Sequence, residues 1–93
     1  LTQNLDAEPA WEAFKEQFTK IYPRFFEKLR AINPEITIHD LKICAYHQMN
    51  LSTKEIASLI GLTPRAVQTS RYRLRKKLNI PDDTDFQHFL NAL

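Results

Sequence analysis

Glycine is nearly missing from this chain: one residue in 93, Gly61, against five prolines. Hairpin-built sheets and barrels use glycine at their tight turns, so the shortage predicts helices joined by short links. Cysteine is as scarce. The single Cys44 excludes an internal disulfide and every zinc site that needs several thiolates, and it fits a reducing, cytoplasmic compartment. No apolar run approaches the roughly 20 residues that span a bilayer, and no leader pattern opens the chain. The only methionine is Met49 and the chain begins at Leu1. It is therefore expected to be a piece of a longer protein, with a sensor or regulatory region upstream.

Acidic residues are missing from one long stretch. Between Glu55 and Asp82 there is none, while Arg65, Arg71, Arg73, Arg75, Lys76 and Lys77 all fall there. The rest of the chain carries seven bases against eleven acids, so a net charge of only +2 conceals a strong asymmetry. A surface with no charged partner mixes its signs, whereas an element that binds a polyanion concentrates one.

What is present is enough apolar material for one folded unit. Ten aromatics and a hydrophobic fraction of 43% exclude a disordered chain, and 93 residues leave room for a single core. Trp11, Phe14, Phe18 and Ile21 recur at three- and four-residue steps, the spacing of one helix face, with Asp6 as a candidate cap. Pro23 suits the first turn of a second helix, to about Ala31, that buries Phe25, Phe26 and Leu29. Pro34 then turns Asn33 away from helical geometry and closes an aromatic-rich extension, residues 1–35. At helical spacing these rings read as core rather than as a stacking platform.

Thr37 opens a third helix with Asp40 three residues on, a capping-box arrangement, and Leu41, Ala45 and Gln48 follow at helical spacing. Ile38, Cys44 and Met49 flank this face, and Cys44 reads as a buried structural thiol. His39, His47 and His88 are too dispersed for a metal site or a catalytic pair. There is no phosphate-cradling glycine loop and no nucleophile elbow, so neither an enzyme nor a cofactor or metal is expected.

Ser52-Thr53-Lys54-Glu55 is a full capping box, so a helix starts at Thr53; it carries Ile56, Ala57, Leu59 and Ile60 and stops at Gly61. Leu62 follows as an apolar plug. Thr63 caps the next helix, with Pro64 at its favoured first position, and Pro81 closes it beyond Leu78. Two helices joined by three residues that include glycine are the signature of a helix-turn-helix. Ala57 is small where the helices cross, and Ile56, Ile60, Leu62 and Val67 are expected to wedge them apart at a fixed angle. A last helix, capped near Asp82 or Asp83, carries Phe86, Phe89, Leu90 and Leu93 on one side.

With Val67 set inward, about 100° per residue brings Leu74 and Leu78 within about 20° of it. Arg65, Thr69, Tyr72 and Lys76 then point away from the core, with Gln68 and Arg73 on the shoulders. Amide, hydroxyl, aromatic and guanidinium groups with no acid among them have the chemistry that reads base edges and meets phosphates. Arg71 projects to the inner edge, where a structural role is expected: a buried stem, or a pair with an acid of the N-terminal extension.

The run 37–80, with LSTKEIASLIGLTPRAVQ and then KKLNI, resembles the LuxR-type (GerE-type) DNA-binding domain of bacterial transcription regulators. The resemblance implies an all-α helix-turn-helix bundle of four helices, here residues 36–93 behind the two-helix extension. Its third helix, about 64–78, would lie in the major groove of double-stranded DNA, and its fourth would mediate a homodimer. Family contacts fall on Gln68, Thr69 and Tyr72, with Lys54 touching the backbone. Together with the charge pattern, the candidate DNA-contacting set is Lys54, Thr63, Arg65, Gln68, Thr69, Tyr72, Arg73, Arg75 and Lys76.

Departures are Asn50 for the usual Gly, Ala66 for Thr, Ser70 for His, Gln68 for Lys, and Arg71 at an apolar position. Base preference therefore does not carry over. The run SRYRLRKKL, residues 70–78, is also similar to the promoter-reading domain of sigma factors, which works with RNA polymerase as partner. A reading from another class is a helical module whose basic face meets an acidic protein or RNA.

Overall fold

Polar side chains fix most of the helix starts, and left-handed residues fix three of the ends. The computed structural model describes residues 2–93, with side chains described over 9–93. Six helices follow in order: α1 (Thr2–Ile21), α2 (Phe25–Ile32), α3 (Ile38–Gln48), α4 (Thr53–Ile60), α5 (Pro64–Lys77) and α6 (Phe86–Asn91). Among the described residues there is no strand, and no helix is long and apolar enough to cross a membrane.

Both capping boxes form. Thr37 Oγ1 accepts from the Asp40 amide at 3.1 Å while Asp40 Oδ2 accepts from the Thr37 amide at 3.1 Å. Ser52 and Glu55 make the same reciprocal pair at 3.1 and 2.8 Å. Thr63 caps α5 by accepting from the Ala66 amide, with Pro64 next in the chain.

The ends of α3, α4 and α5 share one device. Asn50, Gly61 and Asn79 have φ of 64°, 72° and 56°. The next residue's amide then reaches back five positions: Leu51 to Tyr46 at 3.2 Å, Leu62 to Ala57 at 2.9 Å, Ile80 to Arg75 at 2.9 Å. This closure satisfies carbonyls that a helix end otherwise leaves bare. Asparagine tolerates the left-handed region better than other side chains, which is how a chain with one glycine ends three helices this way.

Four expectations are corrected. α1 begins at Thr2, so Asp6 lies inside it instead of capping it. Pro23 precedes α2: the Phe25 amide donates to the Tyr22 carbonyl at 3.3 Å, which puts Pro23 second in a four-residue turn, its favoured place there. Ile21 is 61% exposed, because Tyr22, 5.0 Å from Phe18, takes the packing position at the end of the stripe. α6 is capped by Asp85, whose Oδ2 accepts from the His88 amide at 3.2 Å. A turn from Pro81 to Thr84 occupies Asp82 and Asp83 and delays the helix.

One cluster of buried side chains runs from Trp11 to Leu90. At its centre is α3, with Leu41, Ile43, Cys44, Ala45 and Tyr46 all buried and with α4, α5 and α6 packed on it. Ile38 and Met49 lie exposed at its two ends. Tyr46 joins the N-terminal aromatics to this centre, its ring 4.7 Å from Phe14 and 5.7 Å from Trp11. Trp11, Phe18, Phe25 and Leu29 are buried, and Phe14 and Phe26 pack partly buried against them. On the other side Phe86 and Leu90 are buried, and Phe89 and Leu93 lie against the same core. The apolar side of α6 is thus covered within the chain.

Two outcomes are expected. Phe18→Ala should lower stability by about 3–5 kcal/mol, the range for a buried phenylalanine, and a chain lacking residues 1–30 should melt well below the full chain and bind a hydrophobic dye; calorimetry and dye fluorescence check both. Gly61→Ala meets no atom within 4 Å of its new Cβ, so its cost should be the backbone strain alone, about 1–2 kcal/mol, whereas Asn79→Gly should change the melting temperature little.

Candidate nucleic-acid interface

The Gly61 turn sets α5 against α4, and burial then sorts the side chains of α5 into two kinds. Val67 and Leu74 are buried, and Leu78 continues the stripe beyond the last turn. Ile56 and Ala57 meet them from α4 as fully buried residues. Of the expected wedge, Ile60 is only partly buried and Leu62 is 36% exposed, so Leu62 is no plug. Its amide, bonded to the Ala57 carbonyl, holds the turn in its place.

Arg65, Gln68, Thr69, Tyr72, Arg73 and Lys76 are all exposed. Tyr72 is 61% exposed, and the Lys76 ammonium lies 4.8 Å from its ring centroid. This cation–π contact holds the charge beside the phenol. Thr69 Oγ1 donates to the Arg65 carbonyl at 3.2 Å, so towards a ligand it offers an oxygen lone pair and a methyl group. Lys54 is exposed on the first turn of α4. Thr63 is exposed as well, but its hydroxyl oxygen already serves the cap.

The other three bases of the acid-free stretch are engaged elsewhere. Arg75 is half-buried and donates to the Pro81 carbonyl at 2.7 Å, tying α5 to the loop before α6. Arg71, also half-buried, donates to Thr53 Oγ1 at 3.4 Å. Among the described residues it makes no ion pair with an acid of the N-terminal extension. Lys77 forms the least solvated ion pair described, its Nζ 2.7 Å from Asp40 Oδ2. Arg75, Lys76 and Lys77 also sit in the last turn of α5, where positive charge offsets the negative end of the helix dipole.

The Asp40–Lys77 pair was invisible in the sequence, because its partners stand 37 positions apart and Asp40 read there only as half of a capping box. Burial pushes the Asp40 carboxyl up, and the Lys77 ammonium together with the Thr37 amide and hydroxyl outweighs it, leaving the group below its ordinary value. The same lysine's carbonyl accepts from Asn33 Nδ2 at 3.3 Å, which clips the α2–α3 link to the end of α5.

Cys44 is fully buried, and burial pushes its thiol far up, as an inert core position requires. The histidines stay apart in function: His39 Nε2 lies 3.5 Å from Ser70 Oγ, and His47 Nδ1 is 2.9 Å from Gln87 Oε1. Among the described residues no group of His, Cys, Asp and Glu is placed to hold a metal ion.

Comparisons with protein-family models, with curated proteins and with solved structures return no match.

The pair sets an acid dependence. Because the folded Asp40 titrates below its unfolded value of 3.8, its stabilisation is complete well above that pH and is lost as pH falls through and below it. Asp40→Ala should cost about 2–3 kcal/mol at neutral pH, roughly the cap plus one charge-assisted hydrogen bond. Asp40→Asn, which keeps the cap, should cost less and should remove part of the drop in melting temperature between pH 5 and about pH 3.

Proposed function

We propose that this chain binds double-stranded DNA in a sequence-specific manner, as the output domain of a bacterial transcription regulator, with α5 in the major groove. One observation carries the reading: six groove-competent side chains, Arg65, Gln68, Thr69, Tyr72, Arg73 and Lys76, share the exposed side of a helix that contains no acid. A helix about 10–12 Å across fits the major groove, and 14 residues give about 21 Å of it. The LuxR-type resemblance of the α3–α5 sequence supports the same orientation, with the amino-terminal half of α5 inward and its carboxy-terminal turns near the backbone.

On this reading the face divides. Gln68 pairs bidentately with an adenine edge, Thr69 supplies a methyl contact, and Tyr72 reaches a phosphate or a thymine methyl. Arg73 and Lys76, further along and charged, meet phosphates, and Lys54 touches the backbone from α4.

Selection from a random duplex pool followed by binding measurements across a salt series tests this. Gln68→Ala should weaken the selected site by about 1–3 kcal/mol and relax one or two positions. Lys76→Ala should weaken all duplexes alike and reduce the salt slope by about one. Equal binding of single-stranded RNA and duplex DNA would instead favour a helical interaction module, and binding only in the presence of RNA polymerase would favour a sigma-like role.

A further inference from the structure

Beside the exposed face of α5 lies a cleft of about 440 Å³ between α3, α5 and α6. Gln68, Arg71, Tyr72 and Arg75 form its α5 wall, and His47 and Phe86 close the other side with Asp85. The four α5 residues lie at three- and four-residue spacing on neighbouring turns, about 5–6 Å apart at their Cβ atoms. Gln68 and Tyr72 belong to the outward face already described, so the cleft opens directly onto it.

The two arginines are only partly committed. A guanidinium has five N–H donors in a planar fork. Arg71 gives one to Thr53 at 3.4 Å and Arg75 one to the Pro81 carbonyl at 2.7 Å. These single bonds orient the forks while leaving most donors unassigned. The floor is stiff: His47 Nδ1 bonds Gln87 Oε1 at 2.9 Å, Gln87 Nε2 bonds Asn91 Oδ1 at 3.0 Å, and the His47 ring stands edge-on to Phe86 at 4.8 Å. Gln87 donates through Nε2, so its oxygen faces His47 and the imidazole hydrogen is on Nδ1. Burial lowers the pKa of this imidazole, so two arginines against the Asp85 carboxylate are the charges the cleft presents at neutral pH.

We propose that this cleft is a phosphate clamp: Arg71, with Arg75 and the Tyr72 hydroxyl, grips one backbone phosphodiester of the duplex that α5 reads. The inference rests on the proposed DNA-binding function and assigns Arg71, turned away from the outward stripe and half-buried, to the interface. Continuity with the outward face decides for a DNA phosphate over a free anion. A strand followed along the groove edge from Gln68 and Tyr72 meets the arginine forks next, and fork geometry matches phosphate bidentately. Asp85 opposes the anion, and its other duty is to cap α6.

That division of labour gives a two-sided test. Duplex affinity is measured by fluorescence anisotropy across a salt series for the wild type, Arg71→Gln, Arg71→Lys and Asp85→Asn, with melting temperatures alongside. Arg71→Gln should lower affinity for unrelated duplexes equally and reduce the slope of log K against log salt by about 0.9, one phosphate's worth. Arg71→Lys should keep the slope but lose affinity, because a point charge replaces a fork. Asp85→Asn keeps a capping side chain and removes the opposing charge, so it should tighten binding by about two- to fivefold. A merely structural arginine would move the melting temperature and leave both the slope and the Asp85→Asn result flat. An unchanged slope in Arg71→Gln beside normal wild-type binding overturns the clamp alone, whereas a wild type that ignores duplex DNA overturns the DNA-binding reading and the clamp with it.

Discussion

Everything in this structure hangs on one helix that has almost no surface of its own. α3 is buried along Leu41, Ile43, Cys44, Ala45 and Tyr46, residues that between them point all round the helix axis. A helix with buried apolar residues on so many sides folds only where neighbours cover them. Here α4 and α5 cover one, α6 another, and the N-terminal rings reach it through Tyr46. The extension and α6 are therefore parts of the same core as the α4–α5 pair.

The acid-free stretch turns out to serve two purposes. Arg65, Arg73 and Lys76 stand in solvent on the outward side, while Lys77 neutralises the largely buried Asp40 and Arg75 fastens the loop after α5. Charge asymmetry along a sequence counts residues, not solvated charges. Only the radial position of each base on α5 separates those able to meet a ligand from those that hold the helix in place. Arg71 and Arg75 fall between the classes: both half-buried, each anchored by a single bond, and both lining an open cleft.

What the sequence disclosed was what depends on near neighbours. The Thr37–Asp40 and Ser52–Glu55 boxes, the Thr63–Pro64 start and the Gly61 stop are all settled within a few residues, and each was readable. So was the outward side of α5, because Val67, Leu74 and Leu78 fix its rotation. Less was readable where several residues competed for one task. Asp82, Asp83 and Asp85 are all good caps, and the Pro81–Thr84 turn chooses among them. Ile21 and Tyr22 compete for the end of one stripe, and a turn beyond them decides. Contacts across the fold left no local trace: Asp40 and Lys77 are 37 positions apart, Asn33 and Lys77 are 44, and His47 and Gln87 are 40.

Trp11 is the only tryptophan in the chain, and its surroundings make it an optical gauge. The indole is 2% exposed, stacked at 5.7 Å on Phe14, edge-on to Phe26 and Tyr46, with the Lys42 ammonium 5.5 Å from its ring. Its emission therefore reports the seating of α1 on α3 and is silent about the outward side of α5, where the aromatic ring is Tyr72. Red-shifted light with unchanged helicity would mark a chain whose extension has lifted while its α4–α5 pair persists. Spectral and dichroic signals that move together would mark one cooperative unit. The molecule thus carries its own label for the seam between its extension and the rest.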